Sequence, residues 1–177
     1  NANVTGVNFT ATTNPIGETL FTTQTPAITN ASDGSSVNYE LGTAFTSITT
    51  GQITAVRFWK ASSETGTHTG RVWSSTGVLL ASVVFANETA SGWQQQSLAA
   101  ALSIAANTTY VVSVNTGNTF YVATNSGLSA QVANGSLRSV VGNNGLYGST
   151  GQFPTNTWQG SNYFRDIVFV PGATYSI

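Results

Sequence analysis

Residues 70–85, GRVWSSTGVLLASVVF, decide the fold. Two β-rich runs, Arg71-Val72-Trp73 and Val78-Leu79-Leu80, flank Ser75-Thr76-Gly77, a short Gly-containing loop of the kind that closes an antiparallel hairpin. The same pattern recurs where Thr116-Gly117-Asn118 separates Tyr110-Val111-Val112 from Phe120-Tyr121-Val122. Working outward, short β-branched and aromatic runs punctuated by Gly, Asn and Ser predict strands over 19–23, 37–48, 52–60, 70–74, 78–85, 94–98, 108–115, 119–124 and 162–170. A helical period is present only weakly, around 98–106. Strands without intervening helices predict an all-β antiparallel two-sheet sandwich, of jelly-roll type. Strand alternation places Val56, Phe58, Val72, Leu79, Val111 and Ile167 in the shared core. Residues 78–85 are apolar on both faces, so their register is open.

The folded module is expected over 18–177, with residues 1–17, polar, small and turn-rich, as a linker or loosely attached first strand. Residues 125–157 break the strand rhythm and read as a long Gly-rich loop, which would present aromatic surface from Tyr147, Phe153 and, just beyond it, Trp158.

The 177 residues hold no Cys, no Met and one His, and only 6% are charged. An ordinary domain is about a quarter charged, so hydroxyls and amides must keep this surface wetted. Without Cys, thiolate metal sites, thiol nucleophiles and disulfides are excluded, and a chain of this length can bury a core without staples. A net charge of −1 with five cations, Arg57, Lys60, Arg71, Arg138 and Arg165, offers no basic footprint, so nucleic acid is not an expected partner. No apolar run approaches the roughly 18 residues that span a bilayer, so membrane insertion is not expected either. The composition reads as one module of a longer exported protein, acting as a monomer, secreted or at a bacterial cell surface.

The strongest chemical asset is aromatic: Trp59, Trp73, Trp93 and Trp158 with Tyr39, Tyr121, Tyr147 and Tyr163. Apolar faces of sugar rings stack on such side chains, while sugar hydroxyls bond amides and carboxylates. Most of these aromatics belong in a β-core; the ligand-binding candidates are Trp158, Trp93 and Tyr147, helped by Asn156, Gln159 and Gln94. Among six carboxylates, Asp33 lies in an oxygen-rich turn, Asn30-Ala31-Ser32-Asp33-Gly34, suited to a hard cation such as Ca²⁺. Glu40 and Asp166 each interrupt an apolar strand and need a cation or a set of donors. A structural Ca²⁺ at Asp166, with Asp33 or Glu40, stands against an ion pair to Arg57 or Arg165. No catalytic residues are expected: no G-x-S-x-G motif accompanies His68, and nothing pairs Glu40, Glu64 or Glu88 as a glycosidase would. Hydrogen bonding that shapes its own loop is the simpler use of His68.

Several motifs in order resemble a known family. Tyr39-Glu40-Leu41-Gly42, Thr65-Gly66-Thr67-His68-Thr69-Gly70 with Trp73, Gly77-Val78-Leu79-Leu80-Ala81, Glu88-Thr89-Ala90-Ser91-Gly92-Trp93-Gln94, Thr108-Thr109-Tyr110-Val111-Val112, Phe153-Pro154 and Asn162-Tyr163-Phe164-Arg165-Asp166-Ile167-Val168-Phe169 look like domain of unknown function 4082. That β-domain recurs in large secreted bacterial proteins beside hydrolase, Ig-like and cadherin-like modules. The resemblance covers about residues 19–170 and implies an exported accessory module whose neighbours are other domains of a parent chain. Asp166 also resembles the last-strand Asp through which jelly-roll carbohydrate-binding modules hold Ca²⁺. The function expected is non-catalytic binding of a polysaccharide or cell-surface glycan, with a structural spacer or adhesin stalk as the alternative and a glycan-active hydrolase behind both.

Overall fold

The computed structural model describes residues 17–34, 36–142 and 144–172, so the expectation for the N-terminal segment, Gly17 apart, lies outside the described residues. Among the described residues thirteen strands and no helix form an antiparallel β-sandwich. They are β1 (Ile28–Ser32), β2 (Tyr39–Ser47), β3 (Gly51–Lys60), β4 (Thr69–Ser74), β5 (Leu79–Val84), β6 (Gly92–Ile104), β7 (Tyr110–Asn115), β8 (Phe120–Ala123), β9 (Ala133–Asn134), β10 (Leu137–Ser139), β11 (Gly145–Ser149), β12 (Asn156–Thr157) and β13 (Arg165–Pro171). The larger sheet runs β12-β11-β2-β7-β4-β5, with β10 on the other half of β2 and β9 beside it. A smaller sheet runs β13-β3-β6, and β1 pairs with β8 as a separate ribbon. Non-consecutive strands lie side by side, as Greek-key connections require.

The two main sheets enclose one apolar layer: Phe45, Val72, Val112 and Val114 from the larger, Ile53, Val56, Phe58, Ile167 and Phe169 from the smaller. Four of the six expected core residues, Val56, Phe58, Val72 and Ile167, sit in it. Val111 is buried, but on the other face of the larger sheet with Ala44, Trp73 and Leu146. Leu79 is 48% exposed, against expectation. The cause is a register shift: Val72 pairs Ala81 while Trp73 pairs Leu79, leaving Leu80 as the extra residue of a β-bulge. An extra residue flips every side chain beyond it, so Ala81 and Val83 face the core and Leu79 does not.

The weak helical period around 98–106 yields to strand β6, whose pairing to β3 runs from Gly92 to Ile104 across a bulge. Residues 19–23 form no strand, although Leu20 and Phe21 are buried and Glu18 bridges Phe169. The stretch read as a long loop contains β9 to β12 and folds over the outer face of the larger sheet, where Phe153 packs edge-on against Trp73 at 5.8 Å. That return brings β11 onto β2.

Candidate binding site

Antiparallel pairing sets Tyr147 of β11 opposite Leu41 of β2, so both project from one face. Tyr39 lies two residues before Leu41 and shares that face by alternation. Gly145 permits the approach of β11 to the segment before β13, because a Cβ there would collide with the Ser161 carbonyl. Within that segment Phe164 takes a left-handed φ of 56°, held by the Asn162 side-chain oxygen, which accepts from Phe164 N–H at 2.8 Å. The turn interrupts alternation: Phe164 packs on Ala61 and Val122, while Tyr163 joins Leu41 and Ala123 in a separate cluster flanked by Tyr39, Tyr121 and Tyr147. Tyr121 comes from β8, and Ala31 of β1 pairs with it.

These elements close around a cleft of about 320 Å³ lined by Asp33, Tyr39, Leu41, Tyr121, Tyr147, Trp158 and Tyr163. It continues past Tyr121, Trp158 and Tyr163 into a second lobe beside Ile28, Ala31, Ala123 and Asn125. The tyrosine rings stand nearly perpendicular to one another: Tyr39 to Tyr121 at 89° and Tyr39 to Tyr147 at 85°, with centroids 5.9 Å apart in both pairs. Tyr39 and Tyr121 each donate their hydroxyl to Asp33 Oδ2, at 3.0 and 2.9 Å. Burial, and then the bond to Asp33, raises the Tyr121 and Tyr39 phenols above their ordinary range; burial pushes Tyr163 up to about 12. All three are neutral near pH 7. Trp158, 57% exposed, forms the lip.

Of the residues expected at a binding site, Trp158 and Tyr147 line this cleft, and Asp33 enters it as a hydrogen-bond acceptor. Asn156 and Gln159 are exposed beside Trp158 without lining it. Trp93 is elsewhere, half-buried with Arg57 over its ring at 3.8 Å and Trp59, Phe21 and Phe164 around it. Gln94 is buried and shapes a turn, accepting from Thr89 N–H at 2.7 Å and donating to Thr89 Oγ1 and to the Gly92 carbonyl. Both are structural in this arrangement. Tyr39, Tyr121 and Tyr163 were visible as part of the aromatic inventory, but only topology assembles them.

The three carboxylates considered for Ca²⁺ are held apart, each by its own donors. Asp166 accepts from Leu20, Phe21 and Ile167 N–H at 2.9, 3.1 and 2.7 Å and faces Arg57 Nε at 3.4 Å, the ion-pair alternative. Glu40 takes Arg71 Nη1 at 2.9 Å, Ser113 Oγ–H at 2.6 Å and Gly151 N–H at 2.9 Å. No group of three or more His, Asp or Glu side chains placed to hold a metal ion occurs among the described residues.

His68 is fully buried, its Nδ1 2.8 Å from Glu88 Oε1 and its Nε2 3.5 Å from Glu64 Oε1. Glu64 meets Arg165 Nη2 at 3.3 Å and Glu88 meets Lys60 Nζ at 2.9 Å, so the histidine sits between two carboxylates, each paired with its own cation, under the Phe58 ring. Glu64 also accepts from Ala61 N–H at 2.9 Å, so the network fixes the 61–68 loop, and none of its residues lines the cleft.

A family model described as Domain of unknown function (DUF4082) matches residues 23–165. No curated protein and no solved structure matches the chain.

Proposed function

The chain belongs to this family of domains of unknown function, and from that premise we propose that it is a non-catalytic carbohydrate-binding module of a larger secreted bacterial protein, holding a polysaccharide or cell-surface glycan in the tyrosine cleft. The observation that carries the reading is the cleft itself: four tyrosines and an exposed tryptophan around one carboxylate. Aromatic faces supply stacking surface for the apolar face of a sugar ring, and Asp33 with the phenol oxygens supplies acceptors for its hydroxyls. A hydrolytic role is disfavoured by the same inventory. Glycoside hydrolysis uses two carboxylates flanking one bond, whereas the cleft lining holds Asp33 alone. Glu40, Glu64 and Glu88 are committed to Arg71, Arg165 and Lys60.

Affinity electrophoresis through gels containing soluble polysaccharides tests the reading. The protein should be retarded by at least one glycan, and Trp158→Ala should remove the retardation, since truncating an aromatic anchor costs about 2 kcal/mol, roughly thirtyfold in affinity. Because Trp158 is exposed, its loss should change stability by less than about 0.5 kcal/mol. Unaltered mobility across a broad panel would leave a structural spacer as the function.

A further inference from the structure

The six carboxylates of the chain divide sharply by how they are neutralised. Glu40, Glu64, Glu88 and Asp166 each face a cation, Arg71, Arg165, Lys60 and Arg57 respectively, at 2.9 to 3.4 Å. Glu18 accepts from Ser136, through both its N–H and its hydroxyl. Asp33, like Glu18, faces no cation: among the described residues its partners are the Tyr39 and Tyr121 hydroxyls, both on Oδ2, neither of them donates to Oδ1, and of the two carboxylates only Asp33 lines the cleft. The fifth cation, Arg138, is turned onto the carbonyls of Gly135 and Leu137. The cleft lining therefore carries an uncompensated negative charge at a solvent-exposed position, with no basic side chain in it.

The groups around that charge add to it. Tyr39 and Tyr121 spend their hydroxyl protons on Asp33, so their oxygens offer a ligand lone pairs only. Aromatic faces carry the negative side of the ring quadrupole and attract a cation held over them, most strongly when it is partly desolvated. Perpendicular rings at 5.9 to 6.1 Å present such faces from several directions. An anionic ligand meets repulsion from every one of these groups, and a neutral one leaves the carboxylate without a counter-charge.

We propose that the cleft selects a ligand bearing a positively charged ammonium group, and that the glycan it takes is built of amino sugars with free, non-acetylated amines. The identity of the glycan rests on the carbohydrate-binding reading above; the preference for an ammonium rests on Asp33 and its aromatic surround. The amine sits against Asp33 Oδ1, and the ring of the same or the adjoining sugar stacks on Trp158.

Calorimetric titration with three tetrasaccharides of equal size separates the two: one of β-linked glucosamine, its fully N-acetylated counterpart, and cellotetraose, with tetramethylammonium chloride as a non-saccharide probe. The glucosamine oligomer should bind at least about tenfold tighter than the other two, a preference that shrinks as salt screens the charge. Asp33→Asn, checked by melting temperature, should bring the ratio of the amine to the acetylated oligomer to within about twofold. Should that variant fail to fold, the salt dependence of the wild-type ratio decides. Equal binding of all three oligomers overturns the ammonium preference and leaves the glycan reading standing. Binding of tetramethylammonium with no saccharide bound overturns the amino-sugar ligand while the ammonium site stands, and no binding of any probe overturns both; the glycan reading itself stands or falls on the polysaccharide panel above.

Discussion

Arg165 carries its guanidinium at 0% exposure, bonded to the Tyr163 carbonyl at 2.8 Å and facing Glu64 at 3.3 Å. Burial pulls its pKa down, and Glu64 acts against that pull. Removing one member of a buried pair strands the other, which costs about 3–5 kcal/mol, whereas replacing both relieves the unpaired charge. Arg165→Met should therefore lose stability of that order in urea denaturation, and Arg165→Met with Glu64→Gln should lose less; a single variant within 1 kcal/mol of the parent would contradict the pairing. The same scale separates Leu79 from Leu128. Leu128 is fully buried, so Leu128→Ala should cost about 2–5 kcal/mol, while Leu79→Ala, on the outer side of its bulge, should cost under about 0.5 kcal/mol. Sequence alone could not assign Leu79, because a run apolar on both faces carries no alternation from which to read a bulge.

Among the elements, β13 is held to residues 18–21 by the backbone bridge between Glu18 and Phe169 and by one side chain beside it. Asp166 collects three backbone N–H groups that have no ladder partner, two of them on Leu20 and Phe21, and so stands in for a missing strand pairing. That explains why Leu20 and Phe21 are buried without belonging to a strand. Burial raises the Asp166 carboxyl to about 6 against the pull of Arg57 and the three N–H groups. A carboxyl raised in the folded state binds its proton more tightly there than in the unfolded chain. Its contribution is then full below about pH 4 and declines as pH rises through about 6, a change on the order of 3 kcal/mol. Stability measured in urea between pH 4 and 7 should show this fall, and Asp166→Asn should flatten it; an unchanged slope in the variant would rule Asp166 out as its source. Strand positions 37–60 and 70–85 were legible because alternation and hairpin loops are local. The long β6 and the short β9 to β12 were not: Ala-rich and Gly-rich stretches have little intrinsic strand preference and take it from the strands they pair with.

For the molecule as a whole, composition was enough to point to an uncharged, aromatic-rich β-domain, and Trp158 and Tyr147 could be named from it. The remaining site could not, since Tyr39, Tyr121 and Tyr163 stand in ordinary strand contexts in three segments that only the sandwich brings together. Asp33 was visible as an oxygen-rich turn, but its chemistry depends on which side chains reach it, and those are two phenols from distant strands. The cleft is thus a product of topology, and the binding proposed there engages all five rings together. Two-dimensional NMR of the aromatic protons during titration with an oligosaccharide that retards the protein tests this most directly. Resonances of Tyr39, Tyr121, Tyr147, Tyr163 and the Trp158 indole should shift together along one saturating curve while those of Trp59 and Trp93 stay in place. Shifts confined to Trp59 and Trp93, or no aromatic shift at saturating ligand, would contradict binding in the tyrosine cleft.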